Sequence, residues 1–419
     1  MTHSPRVSAA DVEAAAERIA SAIVPTPTQR NARLSRRTGL DVWLKREDLQ
    51  PVRSYKLRGA YNLISRLAEQ DPDAGVVCAS AGNHAQGVAF ACADLGVHAR
   101  IYLPRTTPRQ KRERVAAIGG DAVEIVIEGD YFDQSSSASR AFARESGRTL
   151  VPPFDDLAVI AGQGTAVREL VEQIGHAPDV LVVPVGGGGL LAGSLAWLRE
   201  RHPGVRVIGV EPAGAQSLSA ALTTGAPVDL GEVDPFVDGA AVGRVGDLTF
   251  AHIHDDPPAV HAVPEGLICI EMLDLYQQDG IIAEPAGALA SAALALPDLG
   301  IEPGATVACL LSGGNNDVSR YAEIVERALV HEGRKHYFLV DFPQEPGALR
   351  HFLDDVLGPD DDITLFEYVK RNNRETGPAL VGIELGSPDD LPDLLDRMEQ
   401  GPLQIEPLPP ESPVSRFLI

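Results

Sequence analysis

The chain has 419 residues, room for two or three structural units at roughly 100 to 200 residues each. Its 59 acidic residues against 36 basic ones leave a net charge of −23, which repels nucleic-acid phosphates and anionic membranes and reads as a solvating exterior. At 44% hydrophobic and 23% charged residues, with no window apolar enough for a membrane span, the composition is that of a soluble globular protein. Residues 1–10 show no apolar core followed by a small-residue cleavage site, so a cytoplasmic location is expected. Cys78, Cys92, Cys269 and Cys309 stand singly, without metal-type spacing. Cys78 and Cys309 lie in apolar, β-branched runs and read as small buried hydrophobes; neither a disulfide framework nor a zinc site is expected.

From about residue 75, short apolar runs alternate with helix-patterned stretches: residues 76–79, 99–103, 122–127, 180–185, 206–210 and 306–311. Continuous apolar strands separated by helices mark βαβ units around a buried, mainly parallel sheet, so the fold class is α/β. Three of these runs end in polar or glycine-rich turns: Ser80-Ala81-Gly82-Asn83-His84, Gly186-Gly187-Gly188-Gly189, and Ser312-Gly313-Gly314-Asn315-Asn316. Ligands of open α/β sheets collect at the carboxyl ends of strands, and the three turns predict one shared crevice. After about residue 328 the pattern changes. A polar hinge at residues 331–335 precedes a β-α-β-β-α order within residues 336–410, that of a small α+β, ferredoxin-like module with a regulatory rather than catalytic role. Residues 1–330 are the catalytic part, with a smaller subdomain over about 50–150. The Pro-rich stretch 402–413 reads as a surface extension, with 411–419 as a tail.

Lys45-Arg46-Glu47-Asp48 leads into Ser54-Tyr55-Lys56-Leu57-Arg58-Gly59-Ala60. A lysine forms an imine only if its amine can lose a proton, which burial and neighbouring cations favour, and Arg53 and Arg58 are such cations. Alone, a basic cluster is usually a solvated helix start, and only the other motifs reverse that reading. The strand, four glycines and helix start of Val185-Gly186-Gly187-Gly188-Gly189-Leu190 offer backbone amides and a helix dipole to an anion. A plain turn needs fewer glycines, and the run has neither the Lys-Ser/Thr of a Walker loop nor the spacing of a dinucleotide fingerprint, so a lone cofactor phosphate fits best. Ser312 is suited to donate to a pyridine nitrogen without protonating it, though it is also an ordinary turn serine. The Ser80, Ala81, Gly82, Asn83 and His84 turn can hold a substrate carboxylate or merely cap a helix, and His84 is read as structural.

Together, Ser-Tyr-Lys-x-Arg-Gly, Ser-Ala-Gly-Asn-His-Ala-Gln-Gly, Gly-Gly-Gly-Gly-Leu and Ser-Gly-Gly-Asn, in that order, resemble the fold-type II pyridoxal phosphate enzymes, specifically the serine/threonine dehydratases. The resemblance covers about residues 25–329 and extends to Asp238-Gly239-Ala240-Ala241-Val242 and Ile282-Ala283-Glu284-Pro285-Ala286-Gly287. In the C-terminal part, Asp341-Phe342-Pro343-Gln344-Glu345-Pro346-Gly347-Ala348-Leu349 looks like the opening of an ACT-like module. That layout is similar to biosynthetic threonine dehydratases, and it implies a tryptophan synthase β-like fold with open twisted sheets in two subdomains.

The resemblance implies pyridoxal 5'-phosphate as cofactor, with Lys56 as its imine lysine and as general base. It places the phosphate on Gly186, Gly187, Gly188, Gly189 and Leu190, Asn83 beside the ring hydroxyl and Ser312 at the ring nitrogen. The implied reaction removes water and then ammonia from L-threonine, giving 2-oxobutanoate, with serine as a side substrate. Alanine at position 81 lacks the hydroxyl that serves as a second base in racemising relatives, which favours elimination. The resemblance also implies feedback by isoleucine, opposed by valine, and a homo-oligomer, usually a tetramer. Some relatives bind a divalent cation near Glu211; Ala213-Gly214-Ala215-Gln216 lacks the further carboxylate such a site needs, and no metal is expected. A β-replacement synthase of the same fold and a non-catalytic amino-acid sensor are the rival readings.

Overall fold

Apolar residues on successive positions of a strand must be covered on both faces, and helices packed on either side of a parallel sheet provide that cover. The computed structural model describes residues 5–71, 73–368, 375–401, 403–409, 412 and 418. They form two units, residues 1–317 and 318–419. The first contains β1 (Thr28–Arg30), β2 (Asp41–Arg46), β3 (Val76–Ala79), β4 (Ala99–Leu103), β5 (Val123–Ile127), β6 (Thr149–Leu150), β7 (Val180–Pro184), β8 (Arg206–Pro212), β9 (Ala259–Val263) and β10 (Thr306–Leu311). They make a six-stranded sheet in the order β1-β2-β10-β7-β8-β9 and a four-stranded sheet in the order β5-β4-β3-β6. All neighbours are parallel except β1 and β2. Every residue of β3 and β7 is buried, whereas β5, at a sheet edge, is half exposed.

The six expected strands correspond to β3, β4, β5, β7, β8 and β10. Of the rest, β1 and β6 are too short to carry a pattern. The sequence of β2 disguises it: Asp41-Val42-Trp43-Leu44-Lys45-Arg46 ends in two cations, a composition read as a solvated helix start. Lys45 and Arg46 are nevertheless buried, because acidic partners meet them there. The four cysteines are free and buried. Among the described residues, no helix is long and apolar enough to cross a membrane.

Two helices bring the larger sheet's contents to the site, Leu157–Ile174 and Gly189–Arg201. They approach through glycines: a Cβ on Gly193 would stand 2.3 Å from the Ile160 carbonyl oxygen and 2.6 Å from the Gly164 nitrogen. Neither obstacle is a movable side chain, so the helices could accept a methyl group only by separating.

The second unit opens with the helix Tyr321–His331, which lies before the expected hinge. Then follow β11 (Lys335–Pro343), the helix Ala348–Asp355, β12 (Asp362–Tyr368), β13 (Thr376–Glu384), the helix Leu391–Gln400 and β14 (Gln404–Leu408). The antiparallel order β12-β13-β11-β14 is ferredoxin-like. Phe338, Val340, Phe342, Phe352, Val381, Ile383 and Leu394 form its core. The reading of residues 402–413 as a surface extension is corrected: Gln404–Leu408 is an edge strand whose partner is β11, with Pro407 tolerated at the edge. The tail expected over 411–419 lies outside the described residues except for 412 and 418.

Replacing Gly193 by alanine is expected to destabilise the first unit by about 1–3 kcal/mol through overpacking. Urea unfolding followed by tryptophan fluorescence measures the loss; an unchanged midpoint would mean that the helix pair has slack.

Candidate active site

The helix Lys56–Gln70 begins on Lys56 itself. Just before it, Arg53 adopts φ 57°, the only left-handed non-glycine residue among those described. Such a backbone costs about 1–2 kcal/mol, so neighbouring contacts must hold it. The Gly314 N–H donates to the Arg53 carbonyl at 2.9 Å, and the Tyr55 N–H donates to the Ser312 carbonyl at 3.0 Å. Ser54 and Gly313 form an antiparallel bridge. The segment carrying Lys56 is thereby pinned along the turn that follows β10.

Behind it lies a dehydrated ion network. Arg58 and Glu47 are each 1% exposed and meet through two hydrogen bonds of 2.8 and 2.7 Å. Arg58 also reaches Glu169 at 3.0 Å, Lys45 reaches the same carboxylate at 2.6 Å, and the Thr26 hydroxyl donates to Glu47 at 2.6 Å. Burial works to raise the Glu47 carboxyl, but the Arg58 guanidinium outweighs it and holds the group below its ordinary range.

Burial also pulls the Lys56 ammonium down to about 8, against the opposing attraction of Glu284. The cause differs from the one expected. Arg58 is matched by Glu47 and Glu169, and loss of water, rather than repulsion by Arg53 and Arg58, favours the neutral amine.

Asn83 opens the helix Asn83–Leu95 at the end of β3. Its amide is fixed at both ends: Nδ2 donates to Glu284 at 2.6 Å, and Oδ1 accepts from Asn315 at 2.7 Å. Glu284 is 4% exposed, and burial together with nearby Asp238 pushes its carboxyl up to about 7. The neighbouring His84 imidazole lies 2.8 Å from the Val151 carbonyl; burial, then the adjacent Lys56, pulls it down to about 4 and keeps it neutral. The Ser80 hydroxyl accepts from the Gly82 N–H at 3.2 Å, so this turn is partly self-capped; Ala81 and Gly82 are half-buried in it.

Beyond β7, Gly186 and Gly187 lead to Gly188, with φ +90°, and the helix starts at Gly189 and Leu190. Among the described residues, none of the amide groups of residues 186–190 donates to a protein acceptor. A Cβ on Gly187 would fall 2.2 Å from the Phe154 ring, and one on Gly186 would fall 3.0 Å from the Ala240 Cα. These unspent donors at a helix start fit a cofactor phosphate. At the end of β10 the buried Ser312 hydroxyl donates to the Ala286 carbonyl at 3.0 Å. Glu211 is engaged elsewhere, accepting from the Leu218 N–H at 2.7 Å and from the Ser219 N–H and hydroxyl at 3.0 and 2.6 Å.

The predicted turns thus converge. Lys56 is tied to Ser312 through Tyr55, Asn83 is tied to Glu284 and Asn315, and the glycine run meets Ala240. Sequence reasoning missed Phe154, Asp155 and Thr249, which sit in no recognisable motif, and the role of Asn315 within Ser-Gly-Gly-Asn.

Residues 19–313 match the family described as pyridoxal-phosphate dependent enzyme, and residues 326–418 match the C-terminal regulatory domain of threonine dehydratase. The fold and the crevice therefore define a fold-type II pyridoxal-phosphate-dependent enzyme. The chain is 59% identical over 415 residues to L-threonine dehydratase biosynthetic IlvA of Mycobacterium tuberculosis, covering 99% of this chain and 96% of the relative. The corresponding Corynebacterium glutamicum protein is 54% identical, with 98% and 95% covered. Among solved structures, the processed form of threonine deaminase isoform 2 from Solanum lycopersicum superposes with a TM-score of 0.71 at 36% identity, covering 78% of this chain and 96% of that one. Maize serine racemase gives a TM-score of 0.71 at 29% identity, with 78% and 99% covered. The chain belongs to the biosynthetic threonine dehydratases, pyridoxal-phosphate-dependent lyases with a C-terminal regulatory domain.

Arg58→Met should strand the Glu47 charge in the interior and cost about 3–5 kcal/mol. Chemical denaturation of the two proteins checks this; a loss below about 1 kcal/mol would show that water reaches the network.

Proposed function

We propose that this enzyme converts L-threonine to 2-oxobutanoate and ammonia, with serine as a side substrate, at the head of isoleucine synthesis in the cytoplasm. The observation that carries the reading is the half-buried Lys56 amine, brought down to about 8 by burial, on the same sheet edge as five amides that have no protein acceptor among the described residues. Bound pyridoxal phosphate supplies an electron sink for the charge left when the substrate Cα loses its proton.

The chain's own groups do the rest. The amides of Gly186, Gly187, Gly188, Gly189 and Leu190 hold the phosphate. The Ser312 hydroxyl would serve the ring nitrogen as a neutral donor by turning its one hydrogen from the Ala286 carbonyl, and the second Asn83 Nδ2 hydrogen would serve the ring hydroxyl. Residues 80–84 orient the substrate carboxylate with the N-terminal amides of the helix Asn83–Leu95. The neutral Lys56 amine takes the Cα proton. Ala81 has no group that can carry a proton, which disfavours racemisation.

In this reading, residues 336–410 are an ACT-like regulatory domain that shares one unit with the helix Tyr321–His331, to which Lys335 and Tyr337 are tied through Glu326 across the expected hinge at 331–335, and isoleucine inhibits through it while valine opposes isoleucine. The active form is a homotetramer. Assays of 2-oxo acid release from threonine and serine, each with and without isoleucine, test the proposal together. Expected are faster turnover of threonine and inhibition by isoleucine; a product that requires added sulfide or indole would instead establish a β-replacement synthase.

The amine attacks an aldehyde only when unprotonated. With Lys56 at about 8 rather than the ordinary 10.5, cofactor uptake by the apoenzyme should speed up as pH rises and level off above about 8. Stopped-flow absorbance measures it; a rate still climbing steeply at pH 10 would contradict the lowered value.

A further inference from the structure

The glycine run is gripped from outside by a short helix that the reaction itself does not use. Thr249, in the first turn of the helix Asp247–Ile253, is wholly buried. Its Oγ lies 2.8 Å from the Gly187 carbonyl oxygen and 3.0 Å from that of Gly246. The Gly246 N–H also donates to the Gly187 carbonyl, at 3.3 Å. In a trans peptide the carbonyl and the following N–H point in opposite directions. Fixing the Gly187 carbonyl on Thr249 therefore aims the Gly188 N–H away from this helix, where it finds no protein acceptor among the described residues.

The helix is itself pinned. The Asp155 carboxylate accepts from the backbone N–H groups of Leu248 and Thr249 at 2.8 and 3.1 Å on one oxygen and of Asp247 at 3.1 Å on the other. Next to it, Asp156 caps the helix Leu157–Ile174, accepting from Ala158 and Val159 at 2.7 and 3.1 Å. Two adjacent aspartates, each capping a different helix, hold Phe154 between them and the glycines, its ring filling the space of a Gly187 side chain.

We propose that Thr249 is a positioning residue for the phosphate cradle, its hydroxyl setting the direction of the Gly188 amide while Asp155 holds the helix that carries it. The inference rests on residues 186–190 being that cradle. Apoenzyme prepared from the wild type, Thr249→Val and Thr249→Ser is titrated with pyridoxal phosphate and with pyridoxal, which has the same aldehyde but no phosphate, and binding is read from visible absorbance.

Thr249→Val should weaken pyridoxal phosphate roughly tenfold, the scale of one lost hydrogen bond, and leave pyridoxal unchanged. Thr249→Ser, which keeps the hydroxyl, should stay within about twofold of the wild type. The phosphorus NMR resonance of the bound cofactor should move in the valine variant only. If Thr249→Val does not fold, Thr249→Ala removes the same hydroxyl without adding a methyl group. A valine or alanine variant that weakens both aldehydes equally, or neither, overturns the proposal. A wild type that binds pyridoxal as tightly as its phosphate would instead overturn the cradle itself.

Discussion

The active site depends on one ion pair kept almost wholly out of water. Glu47 and Arg58 face each other in a two-pronged contact, and Glu169, Lys45 and Thr26 fill the remaining hydrogen-bonding positions. A buried pair gains little net energy over an apolar one, because desolvation offsets the attraction, but it tolerates little change in geometry. Arg58 lies two residues after Lys56 on the same helix. The arrangement that satisfies the guanidinium therefore also fixes where the lysine begins its reach. The left-handed Arg53 enters from the other side, held by Gly314, so the lysine is constrained by both its successor and its predecessor.

Dehydration then acts on two groups of opposite charge. Lys56 is brought down toward neutrality and Glu284 is brought up toward it, each chiefly by loss of water, and each partly restrained by the other. Both shifts favour the uncharged form of their group, so the site holds a lysine and a carboxyl that give up their charges more readily than exposed ones do. His84 is likewise kept neutral, consistent with an imidazole whose task is to hold the Val151 carbonyl.

Much of the fold was legible because buried parallel strands leave continuous apolar runs, as β3, β7 and β10 do. What escaped notice was of two kinds. The strand β2 ends in Lys45 and Arg46, whose partners Glu169 and Asp48 cannot be matched to them by composition alone, so a buried network looked like a solvated surface. The strand β14 sits among prolines, and only its pairing with β11 makes it a strand. The site was legible through four motifs whose order carries the resemblance. Its buttresses were not: Thr249, Asp155 and Phe154 act through a carbonyl, a helix start and a ring face. Nothing in a linear pattern distinguishes those from ordinary loop chemistry.

The order of strands in the larger sheet has one more consequence. The segments bearing Lys56, Ser312 and Gly186 follow β2, β10 and β7, which are three consecutive strands. Strands are spaced about 4.8 Å apart by their hydrogen bonds, so the ends of these three strands span about 10 Å, and the Ser54–Gly313 bridge ties the segment bearing Lys56 back to the turn after β10. The sheet acts as a ruler for a flat, rigid ligand, and its graduations are backbone bonds that no side-chain substitution lengthens. In β10, Cys309 is in register with Leu44 on one side and Val182 on the other. A slip of one residue there would turn the strand's side chains to the opposite face, moving the middle mark while leaving every motif in the sequence intact.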